Sequence, residues 1–473
     1  MGTSKSSVAV LVDVKFVFPL ALLALSASAI ADSIDDYVKS EMKRLDIPEV
    51  TIGIVKDGRL VRSQAYGFSD PKAKVAGRID DVFEVGSITK QFTALGTLML
   101  VESGRVDLED SIAKFLPDIP DSWANVKVRN LLNQNSGLPE YALVNGIGLL
   151  DTFDRKKFME TISKQPVDFQ PGEAWAYSNT NYALLGWIIE KVTGEPYIKF
   201  MKENVLNPLG MTHSSFAEHG VDVPGLPKGF IKQGRRTVPC PRGGASIKAD
   251  GALMTTLADM VKWDAALSDR RLLSRKSYQL LWSPGRLNNG RTRSYGMGWF
   301  LNMPGTGEYE GHGGNDAGYS AGISRFPGKH LSVFMFCNLY PVGGEVMTKA
   351  IAELYDPSLK MRPLKETTDP NPARTERVKL AIGCMATGKA DDTILEPEMS
   401  APLKTSRVVK LGVGPWAQIA KIDRIAFAGA RAQGSDTWLT YSVTAQNKKY
   451  ILMVLWSNQN KLAQGSVYPA PEK

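Results

Sequence analysis

Ser87 and Lys90 are the first residues whose types and spacing indicate chemistry. Apolar residues recur at helical spacing from Ser87 to about Ser103, and Gly104 is a typical helix stop. We therefore expect a helix with both side chains on one face of its first turn. A serine hydroxyl is a poor nucleophile until a base removes its proton. A lysine can be that base if burial and the helix dipole lower its pKa, and first-turn N–H groups can face an oxyanion.

The spacing of a serine and a lysine three residues apart is not specific by itself. Ser40 and Lys43 repeat it inside a polar amphipathic stretch, which we interpret as a solvent-exposed helix face. The Ser87 pair therefore needs context from elsewhere in the chain.

A phenol and an amide lie on one short loop, at Tyr177 and Asn179. A tyrosine can relay the proton of Ser87 if the nearby ammonium of Lys90 favours its phenolate. The asparagine amide can position Lys90 or the substrate carbonyl.

A third motif, His312-Gly313-Gly314, precedes a glycine-rich strand entry. Glycines at a strand edge allow backbone N–H groups to approach a ligand closely. We therefore expect this segment to lie beside the nucleophile.

In this order, the motifs resemble those of the serine β-lactamase and penicillin-recognising superfamily. The resemblance is strongest to class C β-lactamases, family VIII carboxylesterases and D-aminopeptidase or D-alanyl-D-alanine carboxypeptidase relatives, and it extends from about residue 33 to 355. The motifs that carry it are Gly86-Ser87-Ile88-Thr89-Lys90, Asn135-Ser136-Gly137-Leu138-Pro139, Pro171-Gly172, Tyr177-Ser178-Asn179 and His312-Gly313-Gly314.

The resemblance implies a role for each motif. Ser87 would be the acylated nucleophile, Lys90 and Tyr177 the base, and Asn179 a residue that holds the site. The oxyanion hole would use the backbone N–H groups of Ser87 and Asn315. Relatives of this kind need no metal or organic cofactor.

Two departures from the family pattern affect the expected substrate. His312 and Gly313 stand where relatives carry the lysine and threonine of a Lys-Thr-Gly motif that helps to hold the carboxylate of β-lactams, and Gly314 keeps the final glycine. Histidine is mostly neutral at pH 7, so carboxylesterase or D-amino-acid peptidase activity is favoured over efficient β-lactamase activity. A penicillin-binding, sensor or scaffolding protein that acylates without turnover is the alternative.

Two aromatic residues near these motifs are further candidates. Tyr141 follows the Asn135–Pro139 loop and is a candidate for substrate contact, by resemblance to the family. Trp175 either lines the acyl pocket or only packs beside it.

The sequence also contains a decoy. Residues 318–322 match the G-x-S-x-G elbow of α/β-hydrolases, with Ser320 at its centre. That elbow needs a helix after the serine and an acid and a histidine later in the chain. The following residues are typical of a strand, and only His330 follows, so we interpret Ser320 as structural.

The composition limits the partners. The 473 residues carry 57 basic and 49 acidic side chains, a net charge of +8, and the basic residues are scattered. This pattern argues against nucleic acid as a partner. The family resemblance implies a small ester, amide or peptide substrate instead. The three cysteines lie far apart and the histidines lack metal-ligand spacing, so we expect no metal site. The oligomeric state stays open.

The N-terminus predicts an export signal over residues 1–31. Lys5 and Lys15 precede an apolar run over 16–25, and Ala29-Ile30-Ala31 forms a small-x-small cleavage site. We therefore expect a bacterial periplasmic or secreted protein that keeps no membrane span after cleavage.

The element pattern together with the family resemblance implies an α+β fold of the β-lactamase/transpeptidase type, with a central antiparallel sheet flanked by helices and an inserted helical subdomain. We expect a hairpin over 50–55 and 60–66, strands over 295–301, 321–326 and 331–339, and helices over 33–45, 126–133, 180–193, 254–267 and 346–355. Residues 32–360 would form the serine hydrolase domain. A Pro-rich connector and a small β-rich accessory domain, with a hairpin over 438–443 and 450–456, would occupy 361–473.

Overall fold

The computed structural model describes residues 17–244, 246–302, 308–406 and 414–470, with side chains described from residue 30. The helices in chain order are α1 (Val17–Leu45), α2 (Thr89–Glu102), α3 (Val128–Leu132), α4 (Arg155–Ile162), α5 (Asn179–Thr193), α6 (Tyr197–Met201), α7 (Leu257–Ser268), α8 (Arg275–Leu281), α9 (Gly344–Tyr355), α10 (Pro372–Thr387), α11 (Pro397–Thr405) and α12 (Gly414–Ala417).

The strands are mostly short outside two sheets. They are β1 (Glu49–Lys56), β2 (Arg59–Asp70), β3 (Val75–Ala76), β4 (Phe83–Glu84), β5 (Ser215–Phe216), β6 (Phe230–Gln233), β7 (Arg236–Pro239), β8 (Leu253–Thr255), β9 (Gly285–Arg286), β10 (Thr292–Arg293), β11 (Phe300–Leu301), β12 (Glu310–Asp316), β13 (Tyr319–Phe326), β14 (Leu331–Cys337), β15 (Leu339–Tyr340), β16 (Ile422–Gln433), β17 (Asp436–Ala445), β18 (Lys448–Trp456) and β19 (Leu462–Pro469).

A seven-stranded antiparallel sheet forms the centre of the fold, in the order β11-β12-β13-β14-β1-β2-β3. Helices α1 and α9 cover one face, where Val38 and Ile351 pack on Ile52 and Met335. Helices α2 and α7 belong to the core of the other face. Because both faces are covered, β1 and β14 are almost entirely buried and their sequences are nearly continuous apolar runs. The predicted α+β architecture and the 50–66 hairpin are confirmed.

A mostly helical region lies between α2 and β8 and packs against the sheet through α2. Its helices α3, α5 and α6 share one hydrophobic core with α2 and α7. Within that core the ring of Phe92 stacks on Trp263 at a centroid distance of 3.9 Å. The predicted subdomain is therefore present, and α5 coincides with the helix expected over 180–193.

Three local expectations were wrong. The helix expected over 254–267 begins at Leu257, because Met254 and Thr255 pair with β4 and Thr256 caps the helix through the N–H of Asp259. The strand expected over 295–301 is reduced to β11, since Gly298 turns the chain with a φ of +81°. The helix expected over 126–133 spans only α3.

The C-terminal region contains more helix than the sequence analysis predicted. Strands β16–β19 form a four-stranded antiparallel sheet that includes the predicted hairpin. Helices α10 and α11, which precede the sheet, were missed. The signals for α10 were present: Asn371 caps it, Pro372 occupies its first turn, and Gly388 ends it in the left-handed conformation.

Helix α1 includes part of the predicted export signal, whereas residues 1–16 of that signal lie outside the described residues. Within the part of the chain that the structure describes, no helix is both long and apolar enough to cross a bilayer.

Charged side chains join the C-terminal region to the rest of the molecule. Arg291 lies between β9 and β10 and donates to Asp436 Oδ2 at 2.8 Å and to Glu398 Oε1 at 2.7 Å. Arg293 donates to the carbonyl oxygen of Ala463 at 3.0 Å. These bonds hold β17, α11 and β19 against the β9–β10 hairpin.

We expect Arg291→Met to lower the free energy of unfolding by about 2 kcal/mol, because hydrogen bonds to charged groups typically contribute roughly 1.5–3 kcal/mol. Urea unfolding followed by tryptophan fluorescence measures the change. Arg424→Met is the control, since the ion pair of Arg424 with Glu366 is exposed and its loss should leave the transition unchanged. Equal effects of the two variants would contradict the interpretation.

Candidate active site

Ser87 lies in a single 3-10 turn, Gly86–Ile88, which runs directly into α2. The α-helix therefore begins at Thr89, two residues later than expected. Gly86 has a φ of +50°, and a Cβ at this position would come within 2.5 Å of the backbone of Asn315. Only glycine permits both the conformation and this close approach of β12 to the nucleophile.

Lys90 is fully buried and its ammonium has three partners. The Nζ atom lies 2.9 Å from Ser87 Oγ, 2.7 Å from Asn179 Oδ1 and 2.7 Å from the carbonyl oxygen of Asp250. The last two groups only accept hydrogen bonds. A neutral amine that keeps both of these bonds has its lone pair left for the hydroxyl proton of Ser87, which is the geometry a general base requires.

Burial lowers the pKa of Lys90 to about 8, against the opposing effect of the nearby carboxyl groups of Asp250, Glu140 and Asp316. Desolvation disfavours the ammonium more than these carboxyl groups favour it. A substantial share of the molecules therefore carries the neutral amine at mildly alkaline pH.

Glu140 holds Asn179 in place and was missed by the sequence analysis. Its carboxylate accepts the backbone N–H of Asn179 at 2.6 Å and the side-chain amide of Asn179 at 3.2 Å. This fixes the amide so that its oxygen faces Lys90. The available signal was its position directly after Pro139, the last residue of a family motif.

Tyr177 lies beside both members of the pair. Lys90 Nζ is 5.0 Å from the centre of its ring. The buried hydroxyl of Tyr177 has no hydrogen-bond partner of ordinary geometry among the described residues, yet the Ser87 hydroxyl is close enough to lower its pKa.

Burial nevertheless raises the pKa of Tyr177 well above its ordinary value, with the nearby Tyr295 as the next cause. The condition that Lys90 favours a Tyr177 phenolate is therefore not met, because desolvation dominates. The neutral phenol can donate and relay a proton, and Lys90 is left as the base.

His312 lies among aromatic rings next to Tyr177 rather than against Ser87. Its Nε2 is 3.2 Å from the hydroxyl of Tyr295, and its Nδ1 is 2.5 Å from the carbonyl oxygen of Gly313. Burial lowers the pKa of His312 to about 3, so the ring is neutral and supplies no positive charge at pH 7.

Strand β12 brings Gly314 and Asn315 to the nucleophile but not the side-chain position of Gly313. A Cβ on Gly314 would lie 1.8 Å from the carbonyl oxygen of Val85 and 3.2 Å from the nitrogen of Ser87. A Cβ on Gly313 would instead point towards Glu345 on α9, 3.7 Å away. The backbone of Asn315 thus adjoins the Ser87 turn, as the expected oxyanion hole requires, while its amide oxygen accepts from Ser320 Oγ at 2.6 Å.

A small pocket of about 60 Å³ opens beside Ser87 and Asn179. Tyr141 lines it and donates to Asp250 Oδ2 at 2.7 Å, and Asp316 also faces it. Burial raises the pKa of both carboxyl groups. Asp250 had no sequence signal, because its contact with Lys90 is through the backbone, whereas Asp316 adjoins Asn315.

The structure agrees with the interpretations of the Ser40–Lys43 pair and of Ser320. Ser40 and Lys43 are exposed on α1, as predicted. Ser320 is buried in β13, with no helix after it, and its Oγ also lies 2.8 Å from the carbonyl oxygen of Leu339. No group of three or more metal-ligating side chains occurs within the described ranges.

Comparison with known proteins gives one matching family and consistent relatives. The sequence profile of the family described as Beta-lactamase matches residues 34–356. The putative penicillin-binding protein PbpX of Bacillus subtilis (strain 168) is 31% identical over 264 residues, which cover 56% of this chain and 64% of that protein. Penicillin-binding protein 4* of the same organism is 31% identical over 58% of this chain and 65% of its own. The matches thus span less than two thirds of these relatives' length.

Solved structures agree with the fold. D-amino acid amidase from Ochrobactrum anthropi SV3 is 26% identical with a TM-score of 0.58, covering 70% of this chain and 97% of that one. The octameric penicillin-binding protein homologue from Pyrococcus abyssi, at 23% identity and a TM-score of 0.62, covers 93% of this chain and 96% of that one. The similarity to the Pyrococcus abyssi protein concerns the fold alone, and it includes the C-terminal region.

We expect the acylation rate of Ser87 to rise with pH and to level off above about 8, since only the neutral form of Lys90 accepts the proton. At pH 6 the rate should be about a hundredfold below the plateau, because a base with a pKa two units above the pH is about 1% neutral. Time-resolved mass spectrometry with a fluorophosphonate measures it. A rate that is constant from pH 6 to 9 would contradict the role of Lys90.

Glu140→Gln tests the positioning role of Glu140. The charge of Glu140 raises the pKa of Lys90, so its removal should move the midpoint of the pH profile below that of the unchanged protein. The plateau should fall about tenfold to a hundredfold as Asn179 loses its alignment. The control is Glu173→Gln, whose carboxylate accepts from the backbone of Gln170 and should leave the midpoint in place. An unchanged midpoint in Glu140→Gln would refute the assignment.

Proposed function

The chain belongs to the β-lactamase family, and on that premise we propose that it is an exported serine acyl-hydrolase that cleaves an ester or an amide through an acyl-enzyme on Ser87. The observation that carries the proposal is the 2.9 Å contact of Ser87 Oγ with a buried lysine whose other two bonds are fixed. This arrangement is suited to the removal of the Ser87 hydroxyl proton by Lys90.

In the first half of the reaction Ser87 Oγ attacks the substrate carbonyl and its proton passes to Lys90 Nζ. The developing oxyanion is stabilised by the backbone N–H groups of Ser87 and Asn315. As the intermediate collapses, the bond to the leaving oxygen or nitrogen breaks, and this atom takes a proton relayed from Lys90 through the Tyr177 phenol. In the second half, water attacks the acyl carbonyl and gives a proton to the same groups. The bond between the acyl carbon and Ser87 Oγ then breaks, the acid is released, and the proton returns to Oγ.

The neutral His312 favours an ester or amide without a carboxylate over a β-lactam. Efficient β-lactam turnover in the relatives uses a permanent cation where this chain has His312, and burial keeps His312 neutral. An amide substrate that carries an amino group has support from the small pocket, because the carboxyl groups of Asp250 and Asp316 line it. The similarity to D-amino acid amidase is consistent with such a substrate.

The second candidate is a penicillin-binding or sensor protein that forms the acyl-enzyme and does not release it. The names of the curated relatives favour this reading. The two candidates share the acylation step and differ in deacylation, which depends on how water reaches the ester of Ser87.

Purified protein incubated with p-nitrophenyl butyrate, nitrocefin and a D-Ala-D-Ala peptide tests the proposal. We expect turnover of the ester or the peptide, with a much lower kcat/KM for nitrocefin. Ser87→Ala should lower turnover by at least about 10³-fold, since loss of a nucleophile removes the covalent path. Ser40→Ala, in the exposed copy of the motif, should change nothing.

Mass spectrometry separates the outcomes. A stable adduct on the Ser87 peptide without turnover would favour the penicillin-binding alternative. Undiminished turnover in Ser87→Ala, or an adduct on another residue, would contradict both.

A further inference from the structure

We propose that a large cavity between the catalytic region and the C-terminal sheet binds the leaving group of the substrate, and that this leaving group is a bulky apolar alcohol or amine. The inference rests on the proposed acyl-hydrolase function. It assigns to the C-terminal region a part of the substrate site.

The cavity has a volume of about 710 Å³, and its lining includes seven aromatic side chains and three methionines. Three charged residues, Arg293, Glu398 and Arg431, also line it. Trp175, Tyr177 and Tyr295 form the wall on the catalytic side. On the opposite side the wall includes Trp416, Trp438 and Met453. Aromatic rings and methionine offer a large apolar contact area with little directional polarity, which suits an apolar group of variable shape.

The C-terminal wall is one face of the β16–β19 sheet. Side chains alternate across a strand, and Leu439, Leu452 and Val454 point into the core shared with α10. Trp438 and Met453 alternate with them and therefore occupy the other face. This second face is mixed, since Arg431 pairs with Trp438 and Ser466 pairs with Met453. Its large apolar side chains line the cavity together with these polar residues, which suits an apolar ligand with a few polar neighbours.

The position of Tyr177 decides which part of the substrate enters the cavity. Tyr177 lines this cavity, whereas Ser87 and Asn179 line the small pocket of about 60 Å³. The atom that leaves must receive a proton as its bond to the carbonyl carbon breaks, and Tyr177 relays that proton. The leaving group therefore lies on the Tyr177 side, in the large cavity, and the acyl group faces the small pocket.

The size difference makes the selectivity asymmetric. The small pocket accepts a short or polar acyl group, while the cavity accepts many apolar atoms. Each methylene that the cavity removes from water should raise kcat/KM about fourfold, which corresponds to about 0.8 kcal/mol. The parameter kcat/KM covers the steps up to acylation, when the alcohol is still attached. Because the cavity holds the alcohol and the small pocket holds the acyl group, kcat/KM should rise when the alcohol is lengthened and not when the acyl chain is lengthened.

Two homologous ester series test the inference on the full-length protein. The first comprises ethyl, butyl, hexyl and octyl acetate, whose alcohols have similar acidity, and the second comprises ethyl acetate, butyrate, hexanoate and octanoate. Acid release in a pH-stat gives kcat/KM for each ester. We expect a steep rise in the first series and none in the second.

Cavity-filling variants provide the structural test. Ser466 lines the cavity from β19, and Ser466→Trp should lower the ratio of kcat/KM for octyl acetate to that for ethyl acetate at least tenfold. Met453→Trp is a second variant in case the first fails to fold. Ala432→Trp places the same side chain on an exposed position of β16 outside the cavity and should leave the ratio unchanged.

Failure of the cavity inference can be distinguished from failure of the proposed hydrolase function. A rise only with acyl length, equal rates throughout both series, or a ratio unaffected by the filling variants would overturn the inference while hydrolysis itself stands. If no ester or amide is hydrolysed and no probe labels Ser87, the proposed function fails, and the inference with it.

Discussion

The burial of one amine is the constraint on which the site depends. The ammonium of Lys90 is destabilised by its removal from water, and its hydrogen bonds to Asn179 and to the backbone of Asp250 fix its position. A solvent-exposed lysine would hold its proton too tightly to act on Ser87. The nearby carboxyl groups moderate the effect, so the pKa falls to about 8 and not further.

The architecture serves this constraint by bringing three separate parts of the chain together. Helix α2 carries the lysine, the start of α5 supplies Asn179, and β12 passes so close to the Ser87 turn that Gly86 and Gly314 leave no room for a side chain. The C-terminal sheet then closes the space beyond Tyr177. In this account the accessory region shapes the substrate site and leaves the chemistry to the family core.

The candidate groups that the structure brings together at Ser87 could be named from the sequence because their types are demanded by chemistry and their spacing is local. Ser87 and Lys90 lie on one turn, and Tyr177 and Asn179 share a loop. Residues that act at the site only because distant segments pack together could not be predicted from local spacing. Asp250 contacts Lys90 through a carbonyl oxygen that every residue possesses, and the protonation of Tyr177 follows from burial by distant segments.

The same distinction applies to the fold. The central sheet and its covering helices follow from apolar runs and turn signals, whereas β8 interrupts an apparent helix because it pairs with a distant strand. The cavity forms between two regions that are distant in the chain, 175–302 and 385–468, so no local sequence pattern predicts it.

The most direct test of the central claim is the titration of Lys90 itself, followed by the ¹⁵N resonance of its side-chain nitrogen in lysine-labelled protein and assigned with Lys90→Arg. The account predicts a midpoint near pH 8, separated from the exposed lysines. A midpoint close to 10.5, together with the other lysines, would show that the amine is not prepared to act as the base.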